Sequence, residues 1–96
     1  MIKRIVKMSF KPENVAVFKT IFEMNWQKIS VAEGCLHVEL LQDINNPSVF
    51  FTYSLWQNED FLNKYRKSNL FNEVWASTKV LFDAKPEAWS LNQLEF

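Results

Sequence analysis

The chain has 96 residues, 48% of them apolar and 16% aromatic, and its eleven basic side chains are balanced by eleven acidic ones. This length excludes a second domain yet lets one domain over 1–96 bury about 60% of its unfolded surface in a single core without staples. Scattered charge leaves no basic stripe for phosphates, a lone Cys35 cannot close an intrachain disulfide, and no apolar run approaches the ~20 residues of a membrane helix, so nucleic-acid, membrane and secretory readings are excluded and a cytoplasmic protein is expected.

Ile2, Val6, Met8 and Phe10 alternate with Lys3, Lys7 and Ser9, the period of a strand with one buried face, although Arg4 and Ile5 interrupt it. Pro12 suits a first helical turn, and Glu13 suits the positive end of the dipole. A helix is therefore predicted from about 12 to about 31. Val15, Phe18, Ile21, Phe22, Trp26 and Ile29 fall on one arc of it, with Asn25 inside that arc. Gly34, the only glycine, stands where the chain must leave the helix, a place that favours positive φ.

Cys35–Asp43 and Ser48–Trp56 read as two strands of an antiparallel hairpin joined by Ile44-Asn45-Asn46-Pro47. If Asp43 faces Ser48, then Leu36, Val38, Leu40, Phe51, Tyr53 and Leu55 share an apolar face, and Cys35, His37, Glu39, Thr52, Ser54 and Trp56 a mixed one. A one-residue slip moves His37 to the face of Tyr53, and the sequence leaves the register open. Asn58 caps a short helix with Phe61, Leu62 and Tyr65 on its buried stripe, and Ser68 caps a second. The second turns Leu70, Phe71, Val74, Trp75, Leu81 and Phe82 inward, with Thr78 in the middle of the arc. Pro86 ends the helical region, and Glu87–Leu94 is a last strand with Trp89 and Leu91.

The order is β-α-β-β-α-β with a broken second helix, an α+β, ferredoxin-like arrangement. Its antiparallel sheet is covered by helices on one side only. The exposed side, taken to include Trp56, is costly to leave in water, so two copies are expected to pack sheet against sheet as a homodimer. The strand ending in Trp56 and the aromatics of the broken helix point to a small-molecule pocket.

Gly34-Cys35 opening the second strand, Asp43-Ile-Asn-Asn-Pro47, Phe51-Thr-Tyr-Ser-Leu-Trp56 followed by Asn58-Glu-Asp-Phe61, and the Ser68–Trp75 helix together resemble the antibiotic biosynthesis monooxygenase domain, a dimeric α+β barrel family. The resemblance spans Ile2 to about Gln93. It implies oxidation of an electron-rich phenol, hydroquinone or related small aromatic by O2 without metal or flavin, in which the protein promotes proton loss, stabilises the anion and excludes water. A smaller branch degrades haem through a histidine ligand. Trp75 stands at that position here and cannot ligate iron, and although Tyr65 matches the branch's stacking aromatic, its strand-one asparagine is absent, so no haem cofactor is expected.

His37, the sole histidine, is the candidate general base, although a dimer contact on the mixed face would explain it equally. Asn25 and Thr78 are polar groups in apolar arcs that a polar-lined cavity, a water or a backbone carbonyl would satisfy. Tyr53 and Tyr65 are candidate holders of an anionic oxygen, and Trp56 and Trp75 candidate stacking surfaces, each with a plain packing role as the alternative. Cys35 reads as an inert buried thiol. One His and one Cys build no usual zinc or iron site, and a single glycine excludes the nucleotide fingerprints. A cofactor-independent monooxygenase is the expectation. A non-catalytic ligand-binding or stress-response protein of the same architecture is the alternative.

Overall fold

Alternating apolar residues at the two ends and in two central runs produce four strands in the computed structural model, which describes all residues from 1 to 96. These are β1 (Ile2–Ser9), β2 (Cys35–Gln42), β3 (Val49–Trp56) and β4 (Glu87–Leu91). They form one antiparallel sheet in the order β2-β3-β1-β4, the ferredoxin-like topology. The last strand stops at Leu91, short of the expected Leu94, and is an exposed edge.

The chain leaves β1 through a 3-10 turn at Pro12–Asn14 and enters helix α1 (Val15–Ser30). α1 rests on the sheet through Phe18 and Ile29, both buried, and Trp26 reaches over to donate from Nε1 to the Val38 carbonyl at 3.0 Å. Gly34 follows with φ of +81°, the left-handed conformation expected at this exit. Beyond β3, Asn58 accepts the Phe61 amide at 3.1 Å and opens α2 (Glu59–Arg66), and Ser68 accepts the Phe71 amide at 3.1 Å and opens α3 (Asn69–Lys79). Two successive side-chain caps thus break what would otherwise be one helix. None of the helices is long and apolar enough to cross a membrane.

The hairpin register departs from the first of the two sequence alternatives. Asp43 Oδ1 accepts from the amides of Asn45 and Asn46, Asn46 Oδ1 accepts from the Ser48 amide, and the Asp43 amide donates to the Val49 carbonyl at 3.0 Å. This Asx-stabilised turn keeps Ser48 in the loop, so Asp43 faces Val49 and every partner shifts by one. Val38, Leu40, Thr52, Ser54 and Trp56 lie under the helices with Arg4, Val6 and Met8. His37, Glu39, Leu41, Phe51, Tyr53 and Leu55 lie on the opposite face with Ile5, Lys7 and Trp89. Trp56 is 1% exposed, which corrects its assignment to the uncovered side. A bulge at Leu36 separates the Cys35–Trp56 pair from the His37–Leu55 pair, so Cys35 and His37 do not share a face as regular alternation would have it.

The core is aromatic. Phe10 stacks on Phe18 with ring centroids 4.2 Å apart, Phe50 meets both edge-on, and Met8 closes the cluster. Full burial of such a side chain stabilises by about 2–3 kcal/mol, so these four anchor α1 to β1 and β3.

Candidate ligand pocket

The aromatic packing does not continue uniformly under the broken helix. A cavity of about 330 Å³ lies between the covered sheet face and the helices, roughly twice the ~150 Å³ that accommodates benzene in a dry protein interior. Its floor is Arg4, Val6, Thr52 and Ser54 from β1 and β3, and its roof is Tyr65, Phe71, Trp75 and Thr78 from α2 and α3. The broken helix makes this possible, because the Ser68 cap redirects the chain so that the aromatics of both segments converge.

One aromatic series runs along the cavity. Trp56 stacks on Tyr65 at 5.0 Å and 28°, Tyr65 meets Phe71 edge-on at 5.4 Å, and Phe71 lies parallel to Trp75 at 6.0 Å and 9°. The Trp56 indole is fixed by donation from Nε1 to Ser54 Oγ at 3.0 Å, both residues being buried. Burial, and secondarily the nearby Cys35, pushes the Tyr65 phenol up to about 12. At neutral pH it is a neutral O–H, and its side chain makes no hydrogen bond within the protein, so the hydroxyl keeps both its donor and its acceptor capacity. Thr78 differs. Its hydroxyl, 3% exposed by residue, donates to the Val74 carbonyl at 2.7 Å and keeps only lone pairs for a guest.

Of the residues singled out from sequence, Trp56, Tyr65, Trp75 and Thr78 line the cavity. Asn25 does not line it; its Nδ2 donates to the Ile21 carbonyl one turn back at 2.8 Å, so its polarity is satisfied by its own helix. His37 and Tyr53 also lie elsewhere. They neighbour each other on the uncovered sheet face, rings 6.0 Å apart, and His37 Nε2 pairs with Glu39 Oε1 at 3.1 Å. Burial pushes the Cys35 thiol up, opposed more weakly by a backbone hydrogen bond with His37, as befits an unreactive thiol.

Sequence reasoning missed Arg4, Arg66, Thr52 and Ser54, all of which line the cavity. Arg4 had a signal. It interrupts the alternation of Ile2, Val6 and Met8 by placing a guanidinium on their face. Thr52 and Ser54 were hidden by the register, and Arg66 reads from sequence as an ordinary cation at a helix C-terminus.

Fold and cavity together define a ferredoxin-like α+β domain with a cavity lined largely by apolar side chains. The model of the antibiotic biosynthesis monooxygenase family matches residues 1–77, which spans β1 to nearly the end of α3, and the chain belongs to that family. Among solved structures, a conserved protein of Methanosarcina mazei Go1 is similar at 22% identity and TM-score 0.92, over 97% of this chain and 92% of that one. A structure described as an antibiotic biosynthesis monooxygenase is similar at 17% identity and TM-score 0.93, over 99% and 100%. Rv0793 from Mycobacterium tuberculosis follows at 13% identity and TM-score 0.90, over 99% and 96%. At these identities the likeness establishes the fold. No curated protein matches the sequence.

Proposed function

We propose that the protein is a cofactor-independent monooxygenase for a small phenol- or quinol-like aromatic, working as a homodimer joined through the uncovered sheet faces. The observation that carries the reading is the 330 Å³ cavity with Trp56, Tyr65 and Trp75 on its wall, in a chain of the monooxygenase family. In the reaction a ring C–H and a phenolic O–H are replaced by two C=O groups. One atom of O2 enters the ring, and the other leaves as water with the two hydrogens. The substrate is its own reductant.

Because triplet O2 reacts slowly with closed-shell molecules, the chain's contribution is to favour the electron-rich anion of the substrate and to keep water out. Tyr65 donates to the substrate oxygen and Trp75 supports the ring. Neither His37 nor any aspartate lines this cavity, and its one lining carboxylate, Glu87, is exposed, so anion stabilisation by Tyr65 carries the proton-loss step rather than a buried base.

Support for the dimer comes from Leu41, Trp89 and Leu91, all more than 40% exposed on the uncovered face beside Ile5, Phe51 and Leu55. The absence of a buried base also fits a non-catalytic carrier, and oxygen uptake separates the two readings. With anthrones the monooxygenase consumes one O2 per quinone formed, with hydroquinones one per hydroxyquinone, in neither case releasing H2O2, and Tyr65→Phe slows it. No uptake above the uncatalysed rate across the panel would leave the carrier.

A further inference from the structure

We propose that Arg4 and Arg66 form a clamp at the mouth of the cavity that takes a carboxylate carried by the aromatic ligand, an inference that rests on the reading of this cavity as a ligand site.

Two guanidiniums from different elements, Arg4 on β1 and Arg66 at the end of α2, line the same space. Neither is neutralised. The ion pairs of the protein are His37–Glu39 and Lys64–Glu33, and they involve neither arginine. Glu87, a carboxylate residue at the rim, stands opposite Lys7 in the strand register, on the other face of the sheet from Arg4. Arg4 is half-buried, and its Nη1 donates to Ser90 Oγ at 2.9 Å, which fixes one arm of the fork and leaves the rest free.

Like charges brought to one partly dry site are unfavourable unless an anion joins them. Their proximity is registered by Arg4 itself, whose pKa is lowered first by burial and then by the charge of Arg66. The planar fork of arginine matches a carboxylate in bidentate geometry, which adds direction to the charge. Arg66 is exposed and Arg4 half-buried, whereas Met8, Phe18, Trp56 and Thr78, which line the same cavity, are buried. That gradient orients a ligand with its ring among the aromatics and its anionic substituent outward. The phenolic oxygen then falls to Tyr65, so that the clamp serves binding and orientation.

Calorimetric titration with a dihydroxybenzoate, its methyl ester and unsubstituted hydroquinone tests the clamp. The acid should bind at least about tenfold more tightly than the ester, and the preference should shrink with added salt. In the Arg4→Gln/Arg66→Gln double variant the acid should fall to the level of the ester, while the ester and hydroquinone keep their affinity. Circular dichroism of the variant checks that it folds, and the acid–ester comparison on the unmodified protein needs no variant at all. Equal affinity for acid and ester, or a preference that survives the double substitution, overturns the clamp but leaves the cavity as a ligand site. Binding of none of the three overturns the cavity reading and the clamp with it.

Discussion

Trp56 and Tyr65 stack face to face, 5.0 Å between ring centroids, although one ends a central strand and the other rides the helix that follows it. The contact joins sheet to roof at the wall of the cavity. Its two functions can be separated by substitution. Tyr65→Phe keeps the ring and removes a hydroxyl with no partner in the protein, so stability should change by less than about 0.5 kcal/mol. Turnover should fall about tenfold to a hundredfold, because a donor to the developing anion is lost. Tyr65→Ala removes the stack as well and should destabilise by about 3 kcal/mol. Urea unfolding alongside oxygen uptake distinguishes the two losses, and unchanged turnover in Tyr65→Phe would remove the hydroxyl from the reaction.

The same phenol predicts a pH dependence of stability. Burial and the nearby Cys35 raise its pKa from the ordinary phenol value to about 12 in the folded protein. Below pH ~10 both folded and unfolded chains hold the proton and the contribution is fully present. As pH rises from about 10 to about 12 the unfolded chain releases the proton first, so stability falls, by at most about 2–3 kcal/mol. Other groups titrate in this range, and the relevant quantity is therefore the difference between the parent protein and Tyr65→Phe. Unfolding free energies measured near pH 8 and near pH 11 should converge for the two proteins at the lower pH and diverge at the higher, with the parent losing more.

The helical half of the site was legible in the sequence because its signals are local. Asn58 and Ser68 are caps whose chemistry needs only the next three residues, and the period of Tyr65, Phe71, Trp75 and Thr78 follows from helix geometry. The sheet half was not, since its facing depends on how many residues the Asp43–Val49 turn consumes. One residue decided whether Trp56 or Tyr53 lay beneath the helices. Asn25 shows a different limit, because a polar side chain in an apolar arc reads the same whether it meets a ligand or, as here, its own helix at Ile21. Arg4 was visible only as a flaw in an alternating pattern, and its meaning came with the neighbour that the fold supplied.

Adjacent residues on a strand separate the chemistry by the thickness of the sheet. His37 points away from the cavity that Val38 lines. His37→Ala should leave oxygen uptake within about twofold of the parent, the usual range for a surface group that touches no substrate. Trp75→Ala, on the cavity wall, should reduce it by an order of magnitude or more. A loss in His37→Ala as deep as in Trp75→Ala would return the histidine to the reaction.

If the uncovered face joins two copies, a charge at its centre should separate them. Trp89, 41% exposed, lies beside Ile5 and Tyr53 in one rung of the sheet. Trp89→Asp puts a carboxylate where two apolar faces meet, an unpaired charge whose burial costs several kcal/mol. Sedimentation at micromolar concentration should find a dimer for the parent and a monomer for the variant. A parent that sediments as a monomer would sink the paired-sheet arrangement outright.

Gly34 governs how the end of α1 delivers the chain to the pocket-bearing hairpin, and two independent reasons fix it. Its φ of +81° strains any residue with a Cβ, and a Cβ built there would overlap the side chain of Phe61 on α2. The first effect costs about 1–2 kcal/mol and the second, an overpacking, about 1–3 kcal/mol. Gly34→Ala should therefore destabilise by about 2–5 kcal/mol in urea unfolding. The parts are separable, because in a Phe61→Ala background the overlap disappears and only the backbone strain remains. The cost of Gly34→Ala should then drop to about 1–2 kcal/mol. If it stays at its full value, close packing with Phe61 contributes nothing, and the glycine is required by its backbone alone.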